Sequence, residues 1–393
     1  MSTIIFFMEN YVAGGLDKVC RDILLNVKAE KIYLIVNKKI DERILNTQRL
    51  PSRIHIFKYR LLTPADLSNF ATQHKKKKII YLLLKLVDYL LRYPLLLISF
   101  VYFFFYFRKL KYDCFMTHNG GYPAALFCGT ASFASALVIK RKSIFVFHSM
   151  PRKYSKAYIG FDYIWDRLVD RYCIIVSVSK KSAIELLRIR KIFQFPKVIH
   201  NGIDPNEKKI NTASKEINIL HIGYVSDSKN QLMLLKTLNI LVNNFSRRVK
   251  ITFVGDFTDD NYKKTLDDFL INNHLEDYVS FEGFKENMEL YYSNNDILVC
   301  TSKIESFPMV ILEAMRIGMP VVSTNVGGIA EQIEDGCDGF LVNSDDYTSL
   351  ADKIQLLFDA NVFENISKNA YKSFNNKFTK NRMIESYNEI LNL

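Results

Sequence analysis

Paired cysteines, tryptophan and a recognisable leader are what this 393-residue chain has least of. Its six cysteines (Cys20, Cys114, Cys128, Cys173, Cys300 and Cys337) are scattered, with no Cys-x-x-Cys and no histidine at the short sequence spacing of a zinc ligand set. A disulfide framework and a zinc-finger module are thereby excluded, and the thiols read as buried and free in a reducing compartment. The opening residues 1–8 lack the basic start and cleavage signature of a signal peptide, so they are expected to form a first strand in a cytoplasmic protein. Neither a dinucleotide fingerprint G-x-G-x-x-G nor a Walker loop occurs. No Asp-x-Asp triplet follows a strand, and Asp256, Asp259 and Asp260 lack the spacing of a metal site, so no metal cofactor is expected. A repeat of 20–50 residues is also missing, which excludes a solenoid.

What is there is a folded, two-domain composition. Apolar residues make up 49% and charged residues 24%, and the length exceeds what one core usually organises. The net charge of +12 conceals a division: residues 1–204 hold 34 basic against 14 acidic side chains, a balance of +20, whereas residues 205–393 hold 19 against 27. A basic first half suggests an anionic partner such as a phospholipid surface, a phosphorylated lipid or a nucleic acid. No aromatic RNA-reading signature accompanies it, so nucleic acid is not expected as the partner.

Short β-rich runs alternate with helical stretches throughout, the pattern of parallel strands joined by crossover helices. Strands are predicted at residues 3–8, 31–36, 54–58, 112–117, 143–148 and 174–179, then at 217–222, 250–254, 279–281, 296–300, 320–323 and 339–342. The fold class is α/β, with two doubly wound, Rossmann-like domains. The boundary is expected at Asn201-Gly202-Ile203-Asp204-Pro205, followed by a charged linker over 206–216. This divides the chain into a basic, membrane-facing domain 1–204, a second domain 205–375, and a last helix in 376–393 that crosses back to the first.

One stretch breaks the alternation. Lys75, Lys76, Lys77 and Lys78 lead into an amphipathic run to Arg92, then fifteen uncharged residues from Tyr93 to Phe107, closed by Arg108, Lys109 and Lys111. A spanning helix needs ~20 apolar residues, so a full crossing is disfavoured. A pair of aromatic-rich helices lying on an anionic membrane surface, from Lys75 to Lys111, fits length and charge, with a buried helix pair as the alternative.

Two segments carry candidate chemistry. Gly14-Gly15 follows the first strand and opens a helix, where free N–H groups can meet phosphate, although a plain tight turn explains it equally well. The segment from Thr301 to Ala314 follows a strand and enters a helix near Pro308, with Glu305 in the loop and Glu313 in the helix. It lies outside the carboxyl end of a strand, where α/β sheets bind ligands. A loop carboxylate there can accept from sugar hydroxyls and a helix carboxylate from a ribose; by pattern alone both can equally be surface residues.

Glu305-x7-Glu313 with Ser306-Phe307-Pro308, then Gly318-Met319-Pro320-Val321-Val322 and Asn325-Val326-Gly327-Gly328-Ile329-Ala330-Glu331, closely resembles family 4 retaining glycosyltransferases of the GT-B fold, of the type that assembles bacterial polysaccharides. Gly14-Gly15, the strand ending in His148, Val176 to Ser179, Val198 to Asp204 and His221-Ile222-Gly223 match in the same order, covering most of the chain. The resemblance implies two domains facing a cleft and transfer of a hexosyl group, with retention, from a UDP- or GDP-sugar. Catalysis would rest on Glu305 and His148. Donor binding would rest on Gly14, Gly15, Lys229, Ser306, Phe307, Pro308 and Glu313, with His118 on the acceptor side or capping the next helix.

No cofactor beyond the nucleotide-sugar is implied. The acceptor would be a lipid-linked or other membrane saccharide in capsule, O-antigen or exopolysaccharide synthesis, used by an enzyme peripheral to the inner face of the membrane. An epimerase of the same fold and a non-enzymatic membrane- or RNA-binding module are the competing readings. The chain departs from the family at Tyr224, where an arginine often joins the lysine in binding diphosphate.

Overall fold

A computed structural model describes residues 2–9, 14–38, 50–75, 77–155, 158–207 and 216–392. Lys76 and positions 208–215 of the expected linker lie outside these residues. The chain divides into two compact units, residues 1–200 with 383–393, and residues 201–382.

The first unit is built on a parallel sheet of seven strands: β1 (Thr3–Met8), β2 (Lys31–Asn37), β3 (Ile54–Tyr59), β4 (Cys114–Asn119), β5 (Ser143–Phe147), β6 (Cys173–Ser177) and β7 (Lys197–Val198), in the order β3-β2-β1-β4-β5-β6-β7. β1 is central, paired with β2 through Phe6 and Leu34 and with β4 through Phe6 and Met116. Its run of Ile and Phe is buried from Ile4 to Met8. Continuous apolar character is what a strand covered on both faces requires.

The second unit repeats the design with β8 (Glu216–Ile222), β9 (Arg248–Val254), β10 (Val279–Phe281), β11 (Ile297–Cys300), β12 (Val321–Thr324) and β13 (Phe340–Val342), ordered β10-β9-β8-β11-β12-β13. Both sheets reverse direction of growth beside their first strand, the switch point at which such folds bind ligands. The Rossmann-like expectation for both halves is met.

Several details differ from the expectations. The strand predicted at 112–117 begins two residues later, because Asp113 leaves the strand to bond β1: its N–H reaches the Thr3 carbonyl and its carboxylate accepts from the Thr3 N–H at 2.7 Å. β7, only two residues long, had no apolar run to announce it. The division falls after His200 rather than after Asp204, since Ile203 exchanges backbone hydrogen bonds with Phe378 and Lys380, and the Lys380 ammonium pairs with Asp204 at 2.7 Å. The last helix, Lys380–Leu391, enters the first unit at Met383, and Asn388 accepts from the Lys28 N–H there.

The largest correction concerns the stretch from Lys75 to Lys111. Instead of two helices, one continuous helix runs over Lys78–Phe107, with Pro94 inside it. A proline costs a helix one hydrogen bond and crowds the carbonyl four residues earlier; here Pro94 and Leu90 both lie on the exposed side, where water can satisfy the freed carbonyl. At 1.5 Å per residue the helix is ~45 Å long. By length and composition alone it is the one candidate membrane span among the described residues. Its C-terminal half nevertheless docks on the unit through Leu96, Ser99, Phe103 and Phe107, and Ser99 bonds the Thr130 hydroxyl at 2.8 Å. Leu82, Leu83, Leu86, Leu90, Leu97 and Ile98 remain exposed.

Candidate active site

In the second unit the site is built from three loops that follow strands β8, β11 and β12. The loop after β8 turns at Gly223, whose φ of +139° suits glycine. It carries Lys229 just ahead of the helix Gln231–Asn243. The loop after β11 carries Thr301, Ser302 and Glu305 and enters the helix Met309–Met315 with Pro308 as its N-cap.

The two loops are stitched together. The Thr301 hydroxyl donates to the Lys229 carbonyl at 2.9 Å, the Lys303 N–H donates to the Ser228 carbonyl at 2.9 Å, and the Lys303 ammonium reaches Asp227 at 2.7 Å. From the third loop, Gly327 lies so close to the Glu305 carbonyl that a Cβ could not be accommodated, and its φ is +55°. The glycine pair that follows β12 thus sets the height of the Glu305 loop.

These constraints converge on one carboxylate. Glu305 Oε1 accepts from the Lys229 ammonium at 2.5 Å and from the Ser302 hydroxyl at 2.8 Å. Burial alone would push the lysine toward neutrality, but the facing Glu305 carboxylate more than offsets it and the Lys229 pKa is raised. Lys229 is therefore firmly cationic, at the N-terminal end of a 13-residue helix. Backbone N–H groups and a fixed ammonium together favour an anion.

Glu313 sits just over one turn into its helix and accepts from the buried Tyr292 hydroxyl at 2.9 Å. Ser306 and Phe307 are buried; the Phe307 ring packs against Phe378, so only its backbone is left to meet a ligand. Tyr224, where the resemblance expects arginine, is half exposed. Asp259 is accounted for as the cap of the helix Asp260–Asn273, and Asp256 accepts from the Phe284 N–H at 2.9 Å.

Sequence reasoning missed Ser302, Thr301, Tyr292 and His221. His221 bonds the Thr301 hydroxyl through Nε2 at 3.2 Å, and burial, reinforced by the Lys229 charge, lowers its pKa to about 3. Ser302 stood three residues before Glu305 as the only available signal; Tyr292 had none.

In the first unit, Gly14 is the N-cap of the helix Gly15–Asn26 with extended backbone, and open space lies where a side chain would stand. Its N–H is held by the Asp17 carboxylate at 2.7 Å, so an anion arriving there meets a carboxylate already in place. His148 lies one residue beyond β5 and is partly buried, whereas His118 lies inside β4 and is fully buried. His118 does not cap the following helix, whose N-cap is Ala125. Its ring stacks on Phe6 at 4.7 Å, and its Nδ1 lies 2.9 Å from His148 Nε2. Burial lowers both pKa values, that of His148 to about 3, and both rings are neutral.

The family model described as glycosyl transferases group 1 matches residues 203–373, the unit that holds Lys229, Glu305 and Glu313. An uncharacterised 41.2 kDa protein from the cps region of Klebsiella pneumoniae is 31% identical over 310 residues, 72% of this chain and 80% of its own. The N-acetyl-alpha-D-glucosaminyl L-malate synthase of Bacillus anthracis is 28% identical over 231 residues, 56% of this chain; the chain covers only 60% of that relative. Among solved structures, Anabaena HepE in complex with UDP superposes with a TM-score of 0.76 over 100% of both chains at 20% identity, a likeness of fold. The chain is a member of the group 1 glycosyltransferases.

Proposed function

We propose that this enzyme transfers a hexosyl group, with retention of anomeric configuration, from a nucleotide-sugar to a lipid-linked or other membrane saccharide. The observation that carries the reading is the Lys229–Glu305–Ser302 constellation, a cation and a carboxylate fixed at 2.5 Å where three strand-end loops meet. Departure of a nucleoside diphosphate builds negative charge on the leaving oxygen, and a preorganised ammonium beside a helix N-terminus stabilises it. The displaced Glu305 carboxylate is then available to the sugar hydroxyls and to positive charge at the anomeric carbon. Glu313, oriented by Tyr292, holds the ribose, and the backbone N–H groups from Ser306 to Pro308 approach the sugar and phosphates.

Gly14 and Gly15 are assigned to the donor phosphates, His148 to the sugar and His118 to the acceptor side, all by motif position. Transfer needs no metal, since Lys229 supplies the charge a cation would bring. UDP bound to HepE favours a uridine donor, and the cps location of the Klebsiella relative favours capsule or related polysaccharide assembly. The exposed apolar face of the helix Lys78–Phe107 supports a location on the inner membrane surface.

The test is release of nucleoside diphosphate from a panel of UDP- and GDP-sugars, with and without a membrane lipid extract, in the presence of EDTA. Acceptor-dependent release that survives EDTA supports the reading. Release or isomerisation that needs no acceptor would sink it in favour of an epimerase or hydrolase.

A further inference from the structure

Outside the donor loops, the fold gathers three groups that the sequence scatters over more than a hundred residues. Cys20 is carried on the buried face of the helix Gly15–Asn26, His118 on β4, and His148 just past β5. The Cys20 sulfur and one ring nitrogen of each histidine lie within 4.8 Å of one another. All three belong to the first unit.

A hydrogen bond between two neutral imidazoles explains why His118 Nδ1 approaches His148 Nε2, but it does not complete the cluster. His118 Nε2 is buried with no hydrogen-bond partner among the described residues. Leaving such a group unsatisfied is unfavourable, and the ring cannot turn away, because Phe6 stacks on one side and Tyr387 packs 5.8 Å away. A neutral imidazole with a bare nitrogen is the form that binds a metal.

We infer that Cys20, His118 and His148 form a binding site for a thiolate- and imidazole-seeking divalent cation, Zn²⁺ being the natural occupant. Zinc takes sulfur at ~2.3 Å and imidazole nitrogen at ~2.0–2.1 Å, so tetrahedral ligands stand ~3.5 Å apart. The present spread of up to 4.8 Å closes by about an ångström through rotation of the Cys20 and His148 side chains, with the His118 ring held in place. One sulfur with two nitrogens favours zinc, cobalt or copper over magnesium or calcium. Binding expels the Cys20 proton, which burial otherwise holds on the thiol. Three protein ligands leave one coordination position open.

The site is separate from the metal-free transfer proposed above, with one consequence that rests on that reading: a cation here occupies His148 and lowers the transfer rate. The test is cobalt titration of the full chain carrying Cys337→Ser, which removes the one exposed thiol among the described residues. The expected result is one equivalent bound with a thiolate-to-cobalt charge-transfer band, displaced by one equivalent of Zn²⁺. Cys20→Ser should abolish the band and weaken zinc at least ~10-fold in competition with a chromophoric chelator. His118→Gln should weaken zinc similarly, while Cys173→Ser leaves both unchanged. No band at stoichiometric cobalt, or a band that survives Cys20→Ser, overturns the site. The readout uses no nucleotide-sugar, so its failure leaves the donor reading untouched, and loss of transferase activity leaves the metal site standing.

Discussion

The two units share a strand order, yet their surfaces are unlike. Residues 1–204 carry a balance of +20, with large apolar side chains exposed along one helix; residues 205–393 are net acidic, and their exposed apolar residues, such as Ile271 and Leu290, are scattered. In the second unit, polarity is spent on tying loops to one another around a single ion pair. In the first, it is spent on a charged surface and a hydrogen-bonded histidine pair. A Rossmann-like sheet supplies only the ledge at its strand ends; the loops decide what rests there.

The sharpest break in this comparison is Lys229→Ala. Transfer should fall ~10²–10³-fold, the usual cost of removing one electrostatic stabiliser of developing charge, with both thermal transitions of the protein nearly unchanged. Turnover near the parent rate would remove the donor site from the second unit.

Next in size is Gly327→Ala. A side chain at φ +55° against the Glu305 carbonyl combines backbone strain with overpacking, about 2–4 kcal/mol. Denaturant unfolding should show the loss in the second unit while the first keeps its midpoint. Equal loss in both would mean that the units do not unfold independently.

Acid distinguishes the units through their buried histidines. Folded-state pKa values lie well below the ordinary ~6.5, so the unfolded chain takes up protons that the folded chain refuses. Stability is therefore intact above pH ~6.5 and is lost as pH falls from there toward 3, by at most about 1.4 kcal/mol per pH unit for each histidine. The first unit has two such residues, His118 and His148, and the second has His221. Melting followed between pH 7 and 5 should show the first unit weakening faster; parallel decline would contradict the assignment.

The smallest effect on folding is expected from Leu90→Gln, Leu97→Gln and Ile98→Gln together, all on the exposed face. Stability should change by under ~0.5 kcal/mol per site, while co-flotation with anionic vesicles drops roughly tenfold. Flotation that is unaffected would leave the apolar helix without a membrane role.

The β-rich runs predicted twelve of the thirteen strands among the described residues with small shifts at their ends, because a strand covered on both faces must be apolar along its length. The exception, β7, is too short to leave such a run. The change from an amphipathic run ending at Arg92 to an uncharged run from Tyr93 suggested two helices, and packing of Leu96, Ser99, Phe103 and Phe107 against the unit accompanies one continuous helix instead. In the site, Glu305, Glu313 and Lys229 were singled out by the family motif rather than by spacing alone, since each stands in a local loop pattern. Their partners were not: Lys229 and Glu305 are 76 positions apart, and no local period encodes that pairing.

By itself, then, the chain's order of residues determined the two Rossmann-like units and the division of charge, which follow from local periodicity and composition, and the family motif from Glu305 to Glu313, which is contiguous in sequence. Only the tertiary structure decided that Glu305 faces Lys229 and Ser302, that Gly327 props the Glu305 loop, and that Cys20 meets His118 and His148. No histidine stands near Cys20 in the sequence; the parallel crossovers bring the helix after β1 and the ends of β4 and β5 to one side of one sheet, and that is where the three side chains converge.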